Sequence, residues 1–185
     1  MKFNSEDLLS QLITQTKKNI AFVESLQSLS DEQLNKRISE NSWSILEVVQ
    51  HLNLYANFYH QEIETKMQQS NLLASENFSS GILGNYFAKS MLPKDKLNKM
   101  KTPKAMNPIF TNLDRNILTV FSQHQNQLLK LLETAKTKDL SKIKTNISLT
   151  PIIKIRLGDT FRFVVNHNLR HIKQIERILN SKKMQ

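Results

Sequence analysis

Cysteine is absent from the chain, and disulfide bonds, thiolate metal ligands and a cysteine nucleophile are excluded with it. Glycine and proline are nearly as scarce. Gly81, Gly84, Gly158, Pro93, Pro103, Pro108 and Pro151 are the full set in 185 residues. Both residue types disrupt helix interiors, so the remaining sequence is left free to form long helices. No stretch approaches the roughly 20 consecutive apolar residues that a membrane-spanning helix needs. The start, Met1-Lys2-Phe3-Asn4-Ser5-Glu6-Asp7, lacks an apolar signal region and gives no argument for export. Together with the missing cysteines this fits a reducing cytoplasm, the expected location. The chain is 39% hydrophobic and 7% aromatic, too apolar for disorder and of a size for one domain over residues 1–185.

Acidic residues are also in short supply, with 16 against 26 basic ones and a net charge of +10. Such a balance raises nucleic acid, anionic lipid or an acidic small molecule as partners. The surplus is carried by lysine, as an AT-rich genome produces. It gathers at Lys94, Lys96, Lys99, Lys101 and Lys104 and again at Lys136, Lys138, Lys142 and Lys144, beside proline or helix-end signals, where solvated connections are expected. No aromatic-interleaved or groove-entering motif accompanies the charge, which argues against nucleic acid.

Hydrophobic periodicity predicts four long amphipathic helices. The first runs from about Asn4 to Leu26 on Leu8, Leu9, Leu12, Ile13, Ile20 and Val23, and Ser30-Asp31-Glu32-Gln33 then reads as a capping box over a short turn. The second begins near Asn41 or Ser42 and runs past Glu62, with Ile45, Val48, Val49, Leu52, Tyr55, Phe58 and Tyr59 on one face. Ile82, Leu83, Tyr86, Phe87 and Met91 make a short helix packed on the bundle. Asn107-Pro108 is a cap-plus-first-turn start for the third long helix, which reaches about Thr134. Leu140–Ile155 reads as loop, and the last helix spans about Asp159 to Leu179. The fold class is all-α, a four-helix bundle with two long crossover connections.

Chemistry is concentrated in the histidines. His167 and His171 stand at i, i+4 on the last helix, on one face and roughly 5–6 Å apart at Cβ. Asn168 occupies the position where a zincin motif needs its glutamate base. His51 shares the inward face of the second helix with Val48 and Tyr55. Neighbouring bundle helices lie about 8–10 Å apart, so the three imidazoles can converge on one divalent ion and leave a position open for water or substrate. Zn or Ni suits such a set first, with Fe, Co or Mn as alternatives. Hydrogen-bonded core histidines are the competing reading. His60 and His124, flanked by Gln and Glu, are expected at the surface. Glu47, one turn before His51, is the one carboxylate placed near the site. It is the candidate proton acceptor, or else an outer support for His51 or a solvated helix-start charge. Trp43 and Tyr55 either line a pocket or pack, and Arg170, one residue before His171, is turned about 100° away from it.

Asn41-Ser42-Trp43-Ser44-Ile45-Leu46-Glu47-Val48-Val49-Gln50-His51-Leu52 resembles the Trp-Ser…Glu…His-Leu segment of the DinB-like (DinB/YfiT) superfamily. Leu157-Gly158-Asp159-Thr160-Phe161, followed by His167, His171, Gln174, Ile175 and Arg177, is similar to its closing helix. Thr102-Pro103-Lys104-Ala105-Met106-Asn107-Pro108 resembles its link before the third helix. The resemblance implies a metal site on His51, His167 and His171, and homodimers. As activity it implies a metal-dependent transferase using a low-molecular-weight thiol such as bacillithiol on a small-molecule substrate, or a metal-dependent hydrolase at the same site. A non-enzymatic binding protein acting through its basic surface is the reading of another class.

Overall fold

The computed structural model describes residues 1–93 and 101–181. Lys94, Lys96 and Lys99 of the first lysine cluster lie outside the described residues. Helix α1 (Ser5–Ser25) is opened by Asn4, whose side chain accepts from the backbone N–H groups of Glu6 and Asp7. The expected capping box at Ser30 is formed and starts the single turn of α2 (Asp31–Asn35). Helix α3 (Ile45–Gln68) is capped by Ser44, two to three residues beyond the Asn41 or Ser42 start expected. Glu47 returns the second bond of that cap, which sequence periodicity did not locate.

Helix α4 (Ile82–Ser90) buries Gly84 and Ala88, while Ile82 and Tyr86 point to solvent. Helix α5 (Asn116–Ala135) starts well after the Asn107-Pro108 signal. Asn107 is engaged by Trp43 instead, and Pro108–Thr111 forms a turn closed by Thr111 N–H on the Pro108 carbonyl. Helix α6 runs Leu157–Ser181.

Two small antiparallel sheets accompany the helices: β1 (Lys2–Asn4) with β2 (Asn77–Ser79), and β3 (Lys144–Ile147) with β4 (Thr150–Arg156). The second pair replaces the loop expected over Leu140–Ile155. Its register is Thr145 opposite Ile155, and it is pinned to α6 by the buried hydroxyl pair Thr145–Thr160 at 2.5 Å. Among the described residues, no helix is long and apolar enough to cross a membrane.

Helices α1 and α3 each pack against both α5 and α6, so the order around the bundle is α1, α5, α3, α6. The core falls into two apolar clusters. One is centred on Leu8, Leu9, Ile63, Leu128, Leu132 and Phe161; the other on Val23, Ile45, Val49, Leu118, Phe121 and Ile175. Along every long helix the residues between the two clusters include buried polar ones: Thr16 and Asn19, Asn53 and His60, Gln125, and His167, Asn168 and His171. The bundle therefore carries a polar layer at mid-length.

Candidate metal centre

The second turn of α3 brings His51 inward, 2% exposed, against the α6 face that carries His167 and His171. The three expected ligands meet. His167 Nε2 lies 3.2 Å from His51 Nε2 and 3.2 Å from His171 Nε2, and one ring nitrogen from each lies within 4.8 Å of the others. Two imidazole nitrogens bound to one tetrahedral ion at about 2.0–2.1 Å stand roughly 3.3–3.4 Å apart. The His51–His167 and His171–His167 pairs are close to that spacing.

Protonation separates this arrangement from a hydrogen-bonded core cluster. His51 Nδ1 is 2.6 Å from the Met106 carbonyl oxygen, and His171 Nδ1 is 2.8 Å from Gln174 Oε1. A backbone carbonyl only accepts, so His51 carries its proton on Nδ1; with Gln174 turned to present Oε1, His171 does the same, and both rings direct a bare Nε2 lone pair at His167. His167 Nε2 carries at most one proton and can donate it to only one of them, which leaves the other Nε2 lone pair facing a nitrogen with no proton to offer it. A cation between the three nitrogens relieves that conflict. Oriented outer partners of this kind are what metal-binding histidines carry.

Burial also keeps the rings neutral, as ligation requires. Desolvation lowers His51 to about 4, against the opposing Met106 bond. Desolvation, then the neighbouring His51, takes His171 to about 3, with Gln174 opposing. His167 is held well below 6.5 by burial first, then by His171, His51 and Arg170. The clustered donors are three imidazoles with no carboxylate among them, a set for Zn, Ni, Co or Fe rather than for Ca or Mg.

Half-buried aromatic rings wall the centre. Trp43 stands 4.7 Å from His51 and 5.9 Å from His171. Tyr55 is 4.5 Å from His167, and Phe163 stacks on that ring at 5.7 Å. Glu47 is buried, but both its oxygens are engaged. Oε2 accepts from Ser44 N–H at 2.8 Å, and Oε1 accepts from Phe110 N–H at 2.6 Å and from Arg37 Nη2 at 2.5 Å. Of the three roles open to it, the solvated charge is ruled out.

His60 is not at the surface as expected. It is 2% exposed, with neither ring nitrogen in a hydrogen bond, and its ring meets that of half-buried His124 at 5.7 Å. Burial first, then His124, lowers it to about 4, with the Gln127 side chain opposing. His60 lies nine residues after His51, which turns it about 180° around α3, toward α5 instead of α6. A cavity of about 10 Å³, room for about one water, separates it from His167, Gln125 and Asn168.

A family model described as the DinB superfamily matches residues 19–175, from within α1 to within α6. The chain belongs to the DinB superfamily. No curated protein and no solved structure matches it. His51, His167 and His171 of this DinB-superfamily bundle all fall inside the matched span. Their outer partners were not found by sequence reasoning. The i, i+3 spacing of His171 and Gln174 could have signalled one of them, whereas a backbone carbonyl such as Met106 leaves no trace in side-chain identity.

Proposed function

We propose that this DinB-superfamily protein is a metal-dependent enzyme that transfers a low-molecular-weight thiol, bacillithiol-like, onto a small electrophile at His51, His167 and His171, with Zn or Ni as the ion. The observation that carries the reading is that two Nε2 atoms each lie 3.2 Å from a third ring nitrogen, on rings whose Nδ1 faces an oxygen acceptor. When bound, a divalent cation supplies Lewis acidity that lowers the pKa of a thiol or water beside it.

The chain's own residues then define the rest. With no cysteine, the sulfur nucleophile comes from a cosubstrate. A sulfur–carbon bond forms as the leaving group departs, and the thiol proton passes to solvent. Trp43, Tyr55 and Phe163, the half-buried rings beside the centre, would present apolar surface to an electrophile with a flat or aliphatic body. A hydrolase at the same centre is the second reading. It gains less support, because both Glu47 oxygens are already engaged and water, far less acidic than a thiol, depends more on a placed proton acceptor.

Elemental analysis of untagged protein, with His51→Ala beside it, tests the reading. We expect about one transition-metal ion per chain in the wild type and under a tenth of that in the variant. Thiol-dependent turnover of a model electrophile should be lost with the metal. Equal metal content in the two proteins would remove the centre from consideration, and turnover of a model ester without added thiol would favour the hydrolase.

A further inference from the structure

The segment after the Lys104–Met106 3-10 turn is fastened to α3 and its cap at three points, all drawn from one short run of chain. His51 Nδ1 donates to the Met106 carbonyl at 2.6 Å, Trp43 Nε1 donates to Asn107 Oδ1 at 3.0 Å, and Phe110 N–H donates to Glu47 Oε1 at 2.6 Å. Phe110 has a φ of 62°, the one positive φ at a non-glycine residue among the described residues. A bulky side chain adopts that conformation only when its surroundings over-determine it. Here they do: the amide is held by a buried carboxylate, and Arg37, itself bonded to Glu47, lies 4.6 Å over the Phe110 ring. Relaxing Phe110 would withdraw its N–H from Glu47 and shift a chain that, four residues earlier, accepts the His51 proton.

We infer that Glu47 is a positioning residue for metal affinity. Through Phe110 it holds the 106–110 segment so that the Met106 carbonyl keeps His51 in the Nδ1–H form with Nε2 bare. This rests on the metal-centre reading above and adds to it that ion binding and closure of this segment are one linked equilibrium. Linkage is reciprocal, so a bound ion should also protect the segment.

The test uses Co²⁺ titration followed by visible absorption, with amide exchange at Phe110 read separately in metal-free protein. Glu47→Gln disturbs the link from the helix. Phe110→Pro disturbs it from the loop, removing the N–H and forbidding the φ, without touching α3. Ser44→Ala is the scaffold control, since it removes a cap bond (Glu47 N–H to Ser44 Oγ, 3.3 Å) and leaves the segment fastened. Glu47→Gln and Phe110→Pro should each weaken Co²⁺ binding about 10- to 100-fold, and the double variant no further than either alone. Ser44→Ala should lower the melting temperature yet stay within about twofold of wild-type affinity.

Wild-type affinity in Glu47→Gln or Phe110→Pro would overturn the inference, as would a loss in Ser44→Ala equal to that in Glu47→Gln. A wild type that fails to bind Co²⁺ would sink the metal-centre reading and this inference with it. Phe110 exchange in metal-free protein would then still report on the loop alone, and wild-type protection in Glu47→Gln would break the proposed link itself.

Discussion

Metal-binding imidazoles almost always have their second nitrogen claimed by another group, and two of the three clustered rings here have theirs claimed, each in a different way. For His51 it is a backbone carbonyl, fixed by the loop; for His171 it is the Gln174 side chain one turn on. Gln174→Leu therefore leaves a buried N–H without an acceptor, at a cost of about 1–3 kcal/mol in an apolar setting, and lets His171 change tautomer. We expect Co²⁺ affinity to fall at least about tenfold with helix content by circular dichroism unchanged. Unaltered affinity would show that Gln174 does not orient the ring. The histidine spacing on α6 and the inward place of His51 on α3 were legible in the sequence, because i, i+4 periodicity states which side chains share a face. The proton positions were not legible, since they depend on contacts between residues 55 and 3 positions apart, one of them to a backbone atom. His60 was misread for a related reason. Periodicity identifies one buried face, but α3 packs on both α5 and α6 and so has two.

Among the elements, the long helices were the legible part, and their ends were not. Asn107-Pro108 carries a sound helix-start signal, yet Asn107 Oδ1 is used by Trp43 and by the Ile109 N–H, so tertiary contact overrides local preference. The short helix α4 was found from its apolar residues, but it docks through its smallest ones. Gly84 faces Asp159, which is fully buried and accepts from Ser80 Oγ, Gly81 N–H and Arg162 Nη1. A Cβ on Gly84 would sit 2.4 Å from Asp159 Oδ2 and 2.6 Å from its Cβ. Ala in place of Gly inside a helix ordinarily gains about 0.5–1 kcal/mol. Here overpacking of about 1–3 kcal/mol works against that gain, and Asp159 cannot yield without abandoning its three partners. Gly84→Ala should thus lower the melting temperature by a few degrees, at roughly 2–4 °C per kcal/mol for a chain of this size. An increase would mean that α4 is free to shift off α6.

Across the whole molecule, the polar layer between the two apolar clusters couples stability to pH. His60, His51 and His171 are buried and neutral, and burial lowers them to about 4, about 4 and about 3 from an ordinary 6.5. The unfolded chain binds protons to these imidazoles below about pH 6.5, whereas the folded chain refuses them until about pH 4. Stability therefore rises with pH across that window and is lost on acidification, because the unfolded state holds more protons. For His60 alone the change is roughly 3 kcal/mol at 1.36 kcal/mol per pKa unit. His60→Gln keeps a polar side chain beside the cavity and removes the titration. Metal-free wild type, melted in chelator at steps from pH 7 to 4, should lose stability steeply, and His60→Gln should lose less over the same interval. Parallel curves for the two proteins would mean that water reaches His60 freely enough for it to titrate as an ordinary imidazole, and the neutral mid-bundle layer would then have to be abandoned.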